Sequence, residues 1–416
     1  MFDVDKVRSQ FPSVRCQQAI FFDNPGGTQI VQPSLDRINS YLLGCNANHG
    51  GAFKTSIESD QILAEAHAGL AVFLNARSPD EIVFGPNMTT LTFMLSRSLA
   101  KTLNPGDEII VTRLDHDANI APWLTIAEDR GLTVRWVDIQ PEDVTLDMED
   151  LDRQLSARTR IVACGYASNA VGTINDVRAI AAKAHAVGAL CFVDAVQAAP
   201  HLLMDVQDLD CDFLVCSAYK FFGPHLGVLY GRLDLLDRLF AYKVRPASDE
   251  PPGKFETGTQ NHEGIAGTLG AVEYLEGLGR QLGARGASAG AGRRECVTAA
   301  LESIRSYEIG LQRRLIRGLM SIPGVTIWGI ANEESLAKRV PTVSFTLDGW
   351  HPRSLAARLA ESGIYTWDGN YYALAVMERL GLQETGGMLR VGLVHYNTEP
   401  EIEKFLGLLD RIAGGS

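Results

Sequence analysis

Between about residues 80 and 230 the chain alternates short β-branched, apolar runs with stretches of helical periodicity, and this alternation restricts the fold more than any other feature. The runs lie at 81–84, 108–111, 133–137, 161–164, 190–193, 213–216 and 228–230, and the stretch 177–187 between two of them has apolar positions at helical spacing. Runs that are apolar throughout suit strands buried on both faces, and strands joined by helical crossovers run parallel. The fold class expected is therefore α/β, with a seven-stranded, mostly parallel sheet covered by helices. A chain of 416 residues exceeds one such core, which predicts a second, smaller domain. There a helical segment at 311–315 precedes apolar runs at 325–328, 342–345 and 388–393, a segregation of helix from strand that predicts an α+β unit. The division expected is a large domain over 21–270, a small domain over 271–416, and an N-terminal segment, 1–20, packed on the small domain. A Gly/Ala/Ser-rich stretch at 282–292 predicts a flexible loop.

Ligands of open α/β sheets sit beyond the carboxyl ends of the strands, and the chemistry-bearing residues cluster at those positions. Asp194 ends one apolar run, and Lys220 follows the next through Ser217-Ala218-Tyr219. A lysine amine can form a Schiff base with a cofactor aldehyde, and a carboxylate can keep a pyridine nitrogen protonated, so the pair has the layout that pyridoxal phosphate chemistry needs. Asn87 stands before an apolar helical pattern through Leu91, Met94 and Leu95, where it suits an N-cap. The first-turn amides of such a helix can bind phosphate, although taken alone the motif is more often a plain capped helix. His116 follows the 108–111 run, where an imidazole can stack on a planar ring. Asn169 and Gln197 follow two further runs, and either amide can bond a phenolic oxygen. Singly, these are a solvated histidine and turn caps; jointly, they mark five strand ends.

Arg390 lies inside the apolar run 388–393, where a buried guanidinium needs an anion such as the carboxylate of an amino acid; a surface ion pair is the competing reading. Loops at 24–28 and 48–51 are rich in glycine and can approach a substrate, with His49 as a possible proton donor, or can be ordinary turns. The aromatics Trp367, Tyr371 and Tyr372 either shape a substrate pocket or pack the small domain.

With 38 basic and 50 acidic residues, the net charge of −12 argues against a nucleic-acid or anionic-membrane partner. No apolar stretch reaches the length of a bilayer span and the first residues lack a basic-then-apolar leader, so a cytoplasmic protein is expected. Seven cysteines, mostly within apolar runs, fit reduced core thiols. Cys211 and Cys216 lack the further ligands of a tetrahedral site, so no metal is expected.

The segment Phe192-Val193-Asp194-Ala195-Val196-Gln197, together with Cys216-Ser217-Ala218-Tyr219-Lys220-Phe221-Phe222-Gly223-Pro224, resembles the cofactor signature of the class V aminotransferases, in particular the cysteine desulfurase and selenocysteine lyase group. The likeness continues through Asp115-His116-Asp117-Ala118-Asn119, Ser168-Asn169-Ala170-Val171-Gly172-Thr173, Glu256-Thr257-Gly258-Thr259 and Leu389-Arg390-Val391-Gly392, and covers nearly the whole chain in order. It implies a fold-type I enzyme dependent on pyridoxal 5'-phosphate. Lys220 would be the Schiff-base lysine, Asp194 the partner of the pyridine nitrogen and His116 the stacking ring. Gln197 and Asn169 would surround the phenolic oxygen, and Arg390 would bind the α-carboxylate. For the phosphate it implies Asn87, Met88, Thr89 and Ser217, with Thr259 reaching across from the partner in a homodimer. Tyr219 stands where the family usually has a phosphate-contacting histidine.

The chain departs from the desulfurases at one decisive point. They carry a mobile nucleophilic cysteine in the C-terminal domain, whereas here no cysteine follows Cys296 and Tyr372 stands near that position. A phenol cannot accept sulfur as a thiolate does. The reaction expected is therefore C–S lysis by β-elimination without an enzyme persulfide. Transamination or epimerisation of an amino acid is the alternative, and a non-catalytic binding protein a distant one.

Overall fold

The computed structural model describes residues 2–283 and 292–415, so the stretch expected to loop at 282–292 falls largely outside it. The large domain is built on seven strands: β1 (Ile82–Gly85), β2 (Glu108–Thr112), β3 (Thr133–Val137), β4 (Thr159–Gly165), β5 (Leu190–Asp194), β6 (Phe213–Ser217) and β7 (Gly227–Gly231). They lie in the order β1-β7-β6-β5-β4-β2-β3. Every pairing is parallel except the two made by β7, which runs against both β1 and β6. Strands β1, β2, β6 and β7 are buried at every residue. Residues of one face enter a core with the helices Lys54–Leu74 and Val177–Ala186, and residues of the other enter a second core with Met88–Ala100 and Ala121–Arg130. Two covered faces explain why the runs are continuously apolar rather than alternating.

The smaller unit is a four-stranded antiparallel sheet of β8 (Val325–Trp328), β9 (Thr342–Leu347), β10 (Trp367–Gly369) and β11 (Met388–Gly392), in the order β8-β9-β11-β10. It packs against the helices Pro352–Ala360 and Glu399–Ala413. Trp367 and Gly369 lie in β10, the edge strand that pairs with β11. The 29-residue helix Arg293–Ser321 spans the two units, with Val297, Ala300 and Leu301 in the large core and Leu311, Leu315 and Leu319 in the small one. The N-terminal segment divides similarly. Phe11 packs edge-on against Phe222 and Tyr396, while Arg8 bonds the carbonyl of Tyr396 and the carboxylate of Glu401. Among the described residues, no helix is long and apolar enough to cross a membrane.

Candidate active site

Where β1, β2, β4, β5 and β6 end, the small domain closes over them and encloses a cavity of about 550 Å³. That volume lies within the usual range for cofactor and substrate sites. Asp194 is the last residue of β5, and Lys220 sits in the single 3₁₀ turn that follows β6. Both are buried. Burial pushes the Asp194 carboxyl up to about 6, with the Lys220 amine opposing the shift. The same burial, aided by the Arg390 charge and opposed by Asp194, pulls the Lys220 amine down to about 7. Lys220 Nζ donates to the carbonyl of Pro25, and Gln197 Nε2 donates to the same oxygen at 2.7 Å, so the loop at 24–28 holds both groups in the cavity.

His116 follows β2 and caps a short 3₁₀ turn: its Nδ1 accepts from the Ala118 amide at 3.0 Å, which assigns the ring as the Nε2–H tautomer. Burial and the nearby Lys220 and Arg390 charges hold its pKa down to about 4, so the imidazole is neutral near pH 7. Sequence reasoning missed the residue that fixes this turn. Asp115 accepts from the Thr112 hydroxyl and, at 2.7 Å, from Asn119 Nδ2, and burial raises its carboxyl to about 7. Its only sequence signal is the polar triplet Thr112, Asp115 and Asn119, spaced three and four residues apart. Asn175 and Gln383 also line the cavity without having been singled out.

The helix Met88–Ala100 begins beside β6. Asn87 Oδ1 caps the Thr90 amide at 2.9 Å, and the Met88 amide donates to Ser217 Oγ at 3.2 Å. This closeness requires Gly227 in β7, where a Cβ would lie 2.8 Å from both Cα and O of Asn87. Met88, Thr89 and Tyr219 line the cavity; Tyr219 also stacks on His225, with ring centroids 4.9 Å apart.

From the small domain, β11 supplies Arg390. Its Nη1 donates to the Asn169 carbonyl at 2.7 Å, and its guanidinium lies 4.2 Å from the centroid of the Tyr371 ring. The anion expected beside a buried guanidinium is not supplied by an ion pair. Asp23 acts on it only at longer range and is itself raised to about 6, chiefly by burial. Trp367, Tyr371 and Tyr372 all line the cavity, and Tyr371 is also buried in the core. Tyr372 stacks on His116 with centroids 5.5 Å apart and remains 73% exposed, at the mouth. Of the predicted site residues, Asn87 and Ser217 stand beside Met88 and not in the cavity lining, and two others are not brought in. His49 is exposed, with its ring near His262, and Thr259 is exposed in a separate groove with Pro86 and Thr90.

Two buried atoms of cavity-lining residues, Asn169 Oδ1 and Arg390 Nε, have no hydrogen-bond partner among the described residues. Buried polar atoms without partners are costly, so both sites call for a polar ligand. A phosphate-bearing pyridine aldehyde with an amino acid fits the donor set: an amine, a carboxylate, a neutral ring, helix-start amides and a guanidinium edge. Among the described residues there is no cluster that could hold a metal ion, and none of the seven cysteines lines the cavity.

Comparison with known proteins agrees with this arrangement. The sequence family described as Aminotransferase class-V matches residues 20–405. The chain is 35% identical to the aminotransferase-like protein FGM3 of Gibberella zeae, covering 99% of this chain and 98% of that one. It is 32% identical to a cysteine desulfurase of Serratia proteamaculans over the same shares. Among solved structures it is similar to the apo cysteine desulfurase of Thermococcus onnurineus, with a TM-score of 0.88 and 28% identity over 99% of this chain and 98% of that one.

Proposed function

Because the chain belongs to the class V aminotransferase family, and is accordingly a pyridoxal-phosphate-dependent enzyme, we propose that it cleaves the Cβ–S bond of a sulfur-bearing amino acid by β-elimination, without an enzyme persulfide. One observation carries the proposal: in a fold similar to the desulfurases, the cavity has no thiol, and the segment near the expected cysteine is the Tyr371–Tyr372 turn.

The bound cofactor supplies an aldehyde to hold the substrate nitrogen and a ring to accept the electrons left at Cα. The remaining steps fall to the chain. Arg390 orients the substrate by its α-carboxylate, with Asn169 fixed beside it. Lys220, half neutral near pH 7, is the nucleophile that holds the cofactor and the base that takes the Cα proton. Asp194, ionised once a cationic ring nitrogen faces it, keeps that nitrogen protonated. His116, held neutral by burial, would lie against the cofactor ring without opposing its charge. Helix-start amides and Ser217, which already bonds the Met88 amide, would hold the phosphate. Proton loss at Cα and departure of the sulfur with the Cβ–S electron pair leave a fragment that water converts to pyruvate and ammonia. Tyr372 lies on the side from which a substrate side chain enters. The proposal includes a homodimer in the cytoplasm, with Thr259 serving the neighbouring subunit's cavity, consistent with its place in a groove outside its own.

The test is product analysis. Cysteine, cystine or S-substituted cysteines should yield pyruvate and ammonia with sulfide or a thiol, and alkylation of the thiols should leave turnover largely intact. Stoichiometric alanine together with a protein-bound persulfide would overturn the proposal. The relative named aminotransferase-like favours a second reading, transamination, for which inactivity on sulfur amino acids alongside keto-acid formation from another amino acid would be the signature.

A further inference from the structure

We propose that Arg339 is a positioning residue for the substrate carboxylate: it locks the segment 169–172 of the large domain onto the small domain and so holds Asn169 and Arg390 in register before substrate arrives. This rests on reading Arg390 as the carboxylate anchor.

Four consecutive carbonyls carry the observation. That of Asn169 accepts from Arg390 Nη1 at 2.7 Å, that of Ala170 from the Ser344 hydroxyl, that of Val171 from Arg339 Nη2 at 2.8 Å, and that of Gly172 from the Val340 amide at 2.8 Å. All four donors belong to the small domain, and Ser344 and Arg390 are cross-strand neighbours in β9 and β11. The large-domain segment is thus bound on every carbonyl to the sheet that carries the anchor. At Gly172, where φ is +81°, a Cβ would come within 2.6 Å of the Thr342 carbonyl and 2.7 Å of the Val340 carbonyl, so the approach tolerates no side chain.

Arg339 is fully buried, and the groups it reaches are the carbonyls of Val171, Ile330 and Thr342, one from the large domain and two from the small. Burial alone lowers its pKa to about 9. An apolar side chain of similar volume would fill the space without stripping a charge of water. What such a side chain cannot do is donate to three segments at once, as the rigid guanidinium fork does. Arg339 does not line the cavity, so any effect on substrate must pass through Asn169 and Arg390.

The test compares L-alanine with ethylamine, which differ by the carboxylate, in titrations of the holoenzyme followed by cofactor absorbance. Wild type should prefer alanine and Arg390→Ala should lose that preference. Arg339→Met should cut the preference by about tenfold while leaving ethylamine and cofactor affinity unchanged. Ser344→Ala, a smaller deletion in the same clasp, should move the ratio in the same direction, and decides the matter if Arg339→Met does not fold. A wild-type ratio in both Arg339→Met and Ser344→Ala, with the ratio lost in Arg390→Ala, would overturn the inference, as would equal weakening of both ligands. If Arg390→Ala itself keeps the preference, the anchor reading fails and the inference fails with it.

Discussion

At the scale of single residues, the chemistry depends on how far burial moves ordinary pKa values. Lys220 titrates at about 7 in the folded chain against about 10.5 when solvated, so between those values the unfolded chain binds the extra proton and stability rises with pH. Below pH 7 both states are protonated and the full penalty is present; above about 10.5 it is gone. Cofactor-free Lys220→Met should therefore be more stable than cofactor-free wild type at pH 7, by on the order of 3 kcal/mol, and the gap should narrow by pH 9.5. Urea denaturation at the two pH values checks this, and a gap that widens with pH would contradict it. The same substitution should abolish turnover, and Asp194→Asn should keep cofactor while losing most of the rate, because a neutral amide cannot hold a ring nitrogen protonated. An unchanged rate in Asp194→Asn would reduce that residue to a strand-end acid. These two residues were legible in the sequence because each terminates or follows an apolar run that can only be a buried strand. The Pro25 carbonyl was not, since what it holds is decided by contacts between distant segments, and Asp115 was not because Thr112, Asp115 and Asn119 are an ordinary polar spacing until they fold into one turn.

Among elements, the turn after β10 is the one most shaped by its surroundings. Tyr371 and Tyr372 have φ of +55° and +56°, a left-handed conformation that costs non-glycine residues about 1–2 kcal/mol each. The large domain holds them there: Asn169 Nδ2 donates to the Tyr371 carbonyl at 2.8 Å and the Asp117 amide to the Tyr372 carbonyl at 2.7 Å. Tyr371 is buried, covers Arg390 and bonds the Met388 carbonyl, whereas the Tyr372 ring projects over the cavity mouth. Tyr372→Gly should accordingly hold or raise stability by about 1 kcal/mol while weakening substrate binding, and Tyr371→Gly should destabilise by about 3 kcal/mol. Thermal melts beside KM measurements separate the two; a loss of stability in Tyr372→Gly would refute the account of strain. Neither this turn nor β10 could be read from local sequence, because both conformations are imposed from across the cavity. The sheet strands could, because burial on two faces writes itself into composition.

On the scale of the whole molecule, the proposed homodimer is tested at the exposed surface of the single chain. Leu43 is 89% exposed, Val244 66% and Phe53 57%, and Thr259 lies exposed in a groove apart from its own cavity. Isolated exposed apolar residues are ordinary, so the deciding point is Thr259, which can serve a phosphate only if a second copy presents one. Thr259→Ala should then be defective at limiting cofactor, and Lys220→Ala inactive, yet a dimer formed from one of each should contain one intact site, with Lys220 from the first chain and Thr259 from the second. With free subunit exchange, half of the dimers are mixed and one site in two is whole, so about a quarter of wild-type activity should return. Co-expression with distinguishable tags measures this directly: at limiting cofactor the unfractionated pool should show the quarter, and the isolated mixed dimer about half of wild-type activity. If Thr259 serves its own chain, the mixed dimer has no intact site, and activity stays at the sum of the parents.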